Sequence, residues 1–125
     1  MSCKQLTCEG TDAFFKLIEG EKGTSKIFVL FTGSKDSNSG ESWCPDCVKA
    51  DPVIKNNISK IPSDAVFITC SVGDRSTWKD PASPFRTHPK LLLKGVPTLM
   101  KWGTPERLGD SECSKDELVS MLFEE

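Results

Sequence analysis

The chain has 125 residues, 16 Lys and Arg against 18 Asp and Glu, a formal net charge of −2 and one histidine. At roughly 100 to 200 residues per domain this predicts a single domain over 1–125, and a 37% hydrophobic content suffices for one core without disulfide staples. The slight acidic balance argues against a dedicated binder of nucleic acid or of an anionic membrane, which carries a basic excess or stripe.

Residues 6–9 begin a first strand. Thr11 caps a helix that runs to Glu19 and ends at Gly20, with Phe14, Leu17 and Ile18 at helical spacing. Residues 26–32, KIFVLFT, are dense in β-formers and apolar on both parities, which predicts a central strand covered on both faces. A Ser- and Gly-rich loop, 33–42, then delivers the chain to Trp43-Cys44-Pro45-Asp46-Cys47. From Pro45 a helical pattern continues to about Ser59, kinked at Pro52, with Val48, Ile54 and Ile58 for its buried face. Residues 65–72 read as a second buried strand; 73–94 mix turn residues with three prolines and yield no clear element. Residues 97–102 and 106–108 form a hairpin, and Ser114 with Glu117 makes a capping box for a last helix on which Leu118, Met121 and Leu122 share a face. Strands alternating with helices and closed by a hairpin predict an α/β fold, a central mixed β-sheet sandwiched by helices.

What six cysteines mean depends on the compartment. The first residues lack the apolar stretch of a secretory leader, and no apolar run approaches the ~20 residues of a membrane span, so a cytoplasmic protein is expected. There thiols stay reduced, and cysteines point to metal or catalysis. The sequon Asn57-Ile58-Ser59 is then a chance match. Cys44 and Cys47 sit where strand, loop and helix meet, with Pro45 in the place favoured for a first helical residue. Cys44 is therefore the expected N-cap, its sulfur at the positive end of the helix and within reach of the Asp46 or Cys47 N–H. The dipole contributes ~0.3 to 1 kcal/mol, up to ~2 when partly buried, enough to lower a thiol pKa by roughly one unit. A thiolate there attacks disulfides, and Cys47, one turn along, supplies a resolving thiol. Two other readings stay open: an incidental pair, or a structural zinc site completed by Cys3 and Cys8 if the fold brings them close, His88 being the only histidine. Cys70 reads as a small core hydrophobe, and Cys3, Cys8 and Cys113 as near-surface free thiols.

The Trp43-Cys44-x-x-Cys47 motif after a strand, Pro52 in the next helix, and Val96-Pro97-Thr98 opening a later strand resemble the thioredoxin-like fold. More closely, FTGSKD (31–36), SWCPDC (42–47), VGDR (72–75), WKDP (78–81), GVPTL (95–99), WGTPERL (102–108) and SEC (111–113) resemble the family of the cytosolic thioredoxin-related protein of fourteen kilodaltons, thioredoxin domain-containing proteins with a WCPDC motif. The resemblance implies a monomeric cytosolic disulfide reductase with no bound cofactor, its dithiol recharged by NADPH through thioredoxin reductase. It makes Cys44 the nucleophile and Cys47 the resolving residue, with Pro45 and Asp46 tuning the redox potential. It implies a cis Pro97 against the dithiol, and a substrate groove of Trp43, Val96 and Pro97. Small disulfides such as cystine and a minor peroxidase activity come with it; a redox-dependent adaptor in signalling, with little turnover, is the alternative. Against ordinary thioredoxin, Pro-Asp replaces Gly-Pro between the cysteines, and Leu30 falls where thioredoxin buries an aspartate. Asp46, directly or through water, is then expected to accept the Cys47 proton. The segments 33–42 and 73–94 are longer than in ordinary thioredoxin, which predicts restricted access, with Trp43 as an apolar wall and Trp78 as either a second wall or a core residue.

Overall fold

The computed structural model describes residues 3–21, 23, 26–35 and 38–124. Every residue from 27 to 31 is buried, so a strand built on them needs cover on both faces. That strand, β2 (Ile27–Thr32), takes the middle of a five-stranded sheet formed by the described residues. The order is β1 (Lys4–Glu9), β3 (Val66–Ser71), β2, β4 (Thr98–Lys101) and β5 (Arg107–Leu108). β1 and β2 run parallel to β3, while β4 is antiparallel to both β2 and β5. The sheet is mixed, as the sequence predicts.

Alternation along β2 sorts its side chains into two cores. Val29 and Phe31 pack with Ile68 and Cys70 beneath α1 (Thr11–Gly20), α3 (Arg75–Lys79) and α4 (Pro84–Thr87), which contribute Phe14, Trp78 and Phe85. Phe28 and Leu30 join Phe67 and Leu99 on the other face, under α2 (Pro45–Asn57) and α5 (Asp116–Glu124). Phe123 of α5 meets Phe28 and Phe67 edge-on, with ring centroids 5.4 and 5.8 Å apart. Such aromatic pairs add ~0.5–1.5 kcal/mol each beyond simple burial.

Several local expectations are corrected. The cap of α1 is Gly10, at φ 85°, and not Thr11, which is already helical. α2 buries Cys47, Ala50, Ile54 and Asn57; Val48 and Ile58 are only half-buried, and the chain tightens into a 3-10 turn over Ile58–Lys60. The Asn57 side-chain amide donates to the Val53 carbonyl at 2.8 Å and to Asp116 Oδ1 at 2.9 Å, so the residue of the sequon ties α2 to α5. α5 starts one residue later than a Ser114 cap requires, with the Lys115 carbonyl accepting from the Leu118 and Val119 N–H groups. Its buried face is Val119, Leu122 and Phe123, leaving Met121 61% exposed. Both triplets have the same spacing, and the one containing the large Phe wins the core. Residues 73–94 hold α3, capped by the Asp74 carboxylate accepting from the Thr77 N–H at 2.9 Å, and α4, capped by Ser83. Cys3 and Cys113 are buried, not near the surface; burial pushes the Cys113 thiol up to about 12.

Candidate active site

α2 begins where the loop after β2 returns to the end of the sheet. Cys44 is its N-cap in extended conformation, Pro45 is the first helical residue, and the Cys47 N–H donates to Cys44 Sγ at 3.1 Å. This is the arrangement expected from the sequence, with Cys47 rather than Asp46 as the amide donor. The two sulfurs are joined as a disulfide, their Cα atoms 5.2 Å apart, and both residues are 4% exposed. Cys47 Sγ accepts from the Gly33 N–H at 3.5 Å. Across the site, Cys44 Sγ lies 3.4 Å from the Val96 carbonyl oxygen, just before a cis Val96–Pro97 bond. In the reduced state the helix end favours a Cys44 thiolate, while the Val96 oxygen favours the thiol it can accept from.

Trp43 closes one side. Its indole N–H donates to the Gly73 carbonyl at 2.9 Å, and the ring lies so close over Gly33 that a Cβ there would come 2.7 Å from Trp43 Cε2. Ser42 stitches the turn, its hydroxyl donating to the Gly33 carbonyl at 3.1 Å and accepting the Cys44 N–H at 3.2 Å. Gly33 is thus part of the site, supporting Trp43 and giving an N–H to Cys47; its signal in the sequence was a glycine directly after the central strand. Trp78 is no wall: it is buried in the α1-side core, with the Arg86 guanidinium 4.2 Å from its ring centroid.

Pro45 and Asp46 stand exposed on the first turn of α2. A cavity of about 360 Å³ opens onto Cys47 from the α2 face of the sheet, lined among others by Leu30, Thr69, Asp51 and Lys55. Leu30 brings no proton acceptor to it. Asp51, one helical turn beyond Cys47 and ion-paired to Lys55 at 3.0 Å, does line it; Asp46 does not. Cys3 and Cys8 belong to different cores, so they do not come together in the four-cysteine site considered above. Among the described residues no three His, Cys, Asp or Glu side chains gather as metal ligands. No helix of the described residues is long and apolar enough to cross a membrane.

Residues 7–125 match the family described as "Thioredoxin domain-containing protein 17-like, thioredoxin domain". The chain belongs to this family. It is 46% identical over 122 residues to Thioredoxin domain-containing protein 17 of Mus musculus, covering 98% of this chain and 96% of that one. The Homo sapiens protein of the same name is 45% identical over the same shares. Thioredoxin-like protein Clot of Arabidopsis thaliana is 44% identical over 112 residues, 86% of this chain and 84% of its own. As a thioredoxin domain-containing protein 17-like chain it has the thioredoxin-like fold expected from the sequence, and its membership points to thiol–disulfide oxidoreduction without a prosthetic group.

Proposed function

We propose that this chain, acting as one thioredoxin-like domain, is a cytosolic disulfide reductase working through the Cys44 and Cys47 dithiol. The Cys44 thiolate attacks one sulfur of a substrate disulfide, forming a mixed disulfide and expelling the other sulfur as a thiolate. Cys47 then gives up its proton and attacks Cys44 Sγ, releasing the second substrate thiol and leaving the Cys44–Cys47 disulfide. Two electrons pass to the substrate, and NADPH restores them through thioredoxin reductase. Pro45 and Asp46 tune the pair, and Trp43, Val96 and Pro97 border the incoming disulfide, with the Val96 backbone placed to pair with a substrate chain. Cystine is a preferred substrate and peroxide a slow one.

The observation that carries this reading is the Cys47 N–H at 3.1 Å from Cys44 Sγ, at the end of a 13-residue helix. It favours negative charge on the sulfur that must attack. The test is NADPH consumption with thioredoxin reductase and cystine, with insulin as a bulky second substrate. Turnover should fall to background in Cys44→Ser and be faster on cystine than on insulin. No turnover by the native chain, with both thiols titratable, would overturn the reductase in favour of an adaptor that binds its partner in one redox state.

A further inference from the structure

A second pair of cysteines stands side by side on the α1 face of the sheet. Cys8 of β1 and Cys70 of β3 are register partners in parallel strands, so their side chains leave the sheet on the same face. Neighbouring strands lie about 4.8 Å apart, inside the ~4.4–6.8 Å Cα separation that a disulfide spans. Both thiols are free. Cys70 is fully buried, whereas Cys8 is half-buried at the sheet's edge, so Cys8 is the more accessible of the two residues.

The Cys70 sulfur lies 3.9 Å from the Gly10 carbonyl oxygen and 3.7 Å from that of Ser71, beside its register partner Cys8. The neighbouring Cys70 thiol lowers the Cys8 thiol from its ordinary range, while the neighbouring Cys8 sulfur and burial raise Cys70 and keep its proton on. Oxidation of a cysteine follows its thiolate character and exposure, and proceeds reversibly when a second thiol stands beside it. Cys8 has the first two properties and Cys70 supplies the third.

We propose that Cys8 and Cys70 form a second redox pair, separate from the Cys44–Cys47 dithiol, that closes to a disulfide on meeting a small peroxide. The Cys8 thiolate attacks one oxygen of hydrogen peroxide, the O–O bond breaks, and Cys8 becomes a sulfenic acid as hydroxide leaves and takes up a proton. Cys70 then attacks the sulfenic sulfur, the S–O bond breaks, and the oxygen departs as a second water with the Cys70 proton. Two thiols lose two electrons, and the peroxide is reduced to two waters. Cys70 lies three residues before Gly73, whose carbonyl holds Trp43, so this pair sits at the same end of the sheet as the first.

The test treats the fully reduced native chain with hydrogen peroxide, removes the peroxide, unfolds the chain in denaturant with an alkylating reagent to block every remaining thiol, and maps the peptides. The expected product has Cys8 linked to Cys70 beside the Cys44–Cys47 loop, with Cys3 and Cys113 alkylated. Cys8→Val, a residue suited to a half-buried strand position, should leave Cys70 alkylated and the Cys44–Cys47 loop and its turnover unchanged. Cys8 and Cys70 both alkylated once Cys44–Cys47 has closed would overturn the proposal. So would Cys8 linked to Cys3 or to a second chain, or Cys8 driven to sulfinic acid with Cys70 still a free thiol.

Discussion

At the scale of single residues, the site depends on a small residue as much as on its two sulfurs. Gly33 lies under the Trp43 indole and gives its N–H to Cys47, so any side chain there meets the ring. Gly33→Ala is expected to cost ~1–3 kcal/mol through overpacking, read as a lower urea midpoint, and to displace Trp43, read in the near-ultraviolet dichroism. In the proposed function Asp46 acts by charge. Its carboxylate stands on the first turn of α2, between the two cysteines in sequence, and a negative group opposes the thiolate. Asp46→Asn should therefore move the pH profile of Cys44 alkylation to lower pH; an unmoved profile would remove Asp46 from the tuning of the pair. Cys44, Cys47 and their surroundings were legible because a strand, a Gly/Ser loop and a Pro at the first helical position all converge on one motif. Gly33 was not, because a glycine under a ring looks in sequence like any loop glycine.

At the scale of elements, the long segments declare themselves and the short ones do not. β2 was readable from an unbroken apolar run, since only a strand covered on both sides needs one. α3 and α4 were hidden because helices of five and four residues are shorter than the window over which a 3.6-residue period can be counted. α3 is held instead by its cap. The Asp74 carboxylate accepts from the Thr77 N–H and the Ser76 hydroxyl, and these bonds hold its pKa below the ordinary carboxylate range. A group whose pKa is lowered by folding stabilises the folded form above its unfolded pKa, and that contribution is lost as pH falls through the folded one. Acidification below about pH 4 should thus release α3 first, seen as Thr77 amide exchange rising towards its intrinsic rate while β2 stays protected. The last helix shows a different limit: two faces of α5 had the same spacing, and only the fold decides that Phe123 points inward and Met121 outward.

At the scale of the whole molecule, one sheet separates two cores, and α5 is the lid of the second. Phe123 is fully buried against Phe28 and Phe67, so Phe123→Ala should cost ~3–5 kcal/mol in urea unfolding. Met121→Lys, on the outer face of the same helix, should stay within about 0.5 kcal/mol of the native chain. Equal losses at the two positions would mean that α5 is seated differently. The sheet order also decides how the two sulfurs of the candidate site meet the outside. Cys44 looks across to the Val96 carbonyl, whereas Cys47 borders the cavity between α2 and the sheet. On the proposed mechanism, an electrophile small enough to fill that cavity and bond to Cys47 would spare the first attack and block the second. The inhibited protein would then not be silent: it would hold each substrate it captured as a covalent adduct on Cys44, and so turn a catalyst into bait for identifying what it acts on.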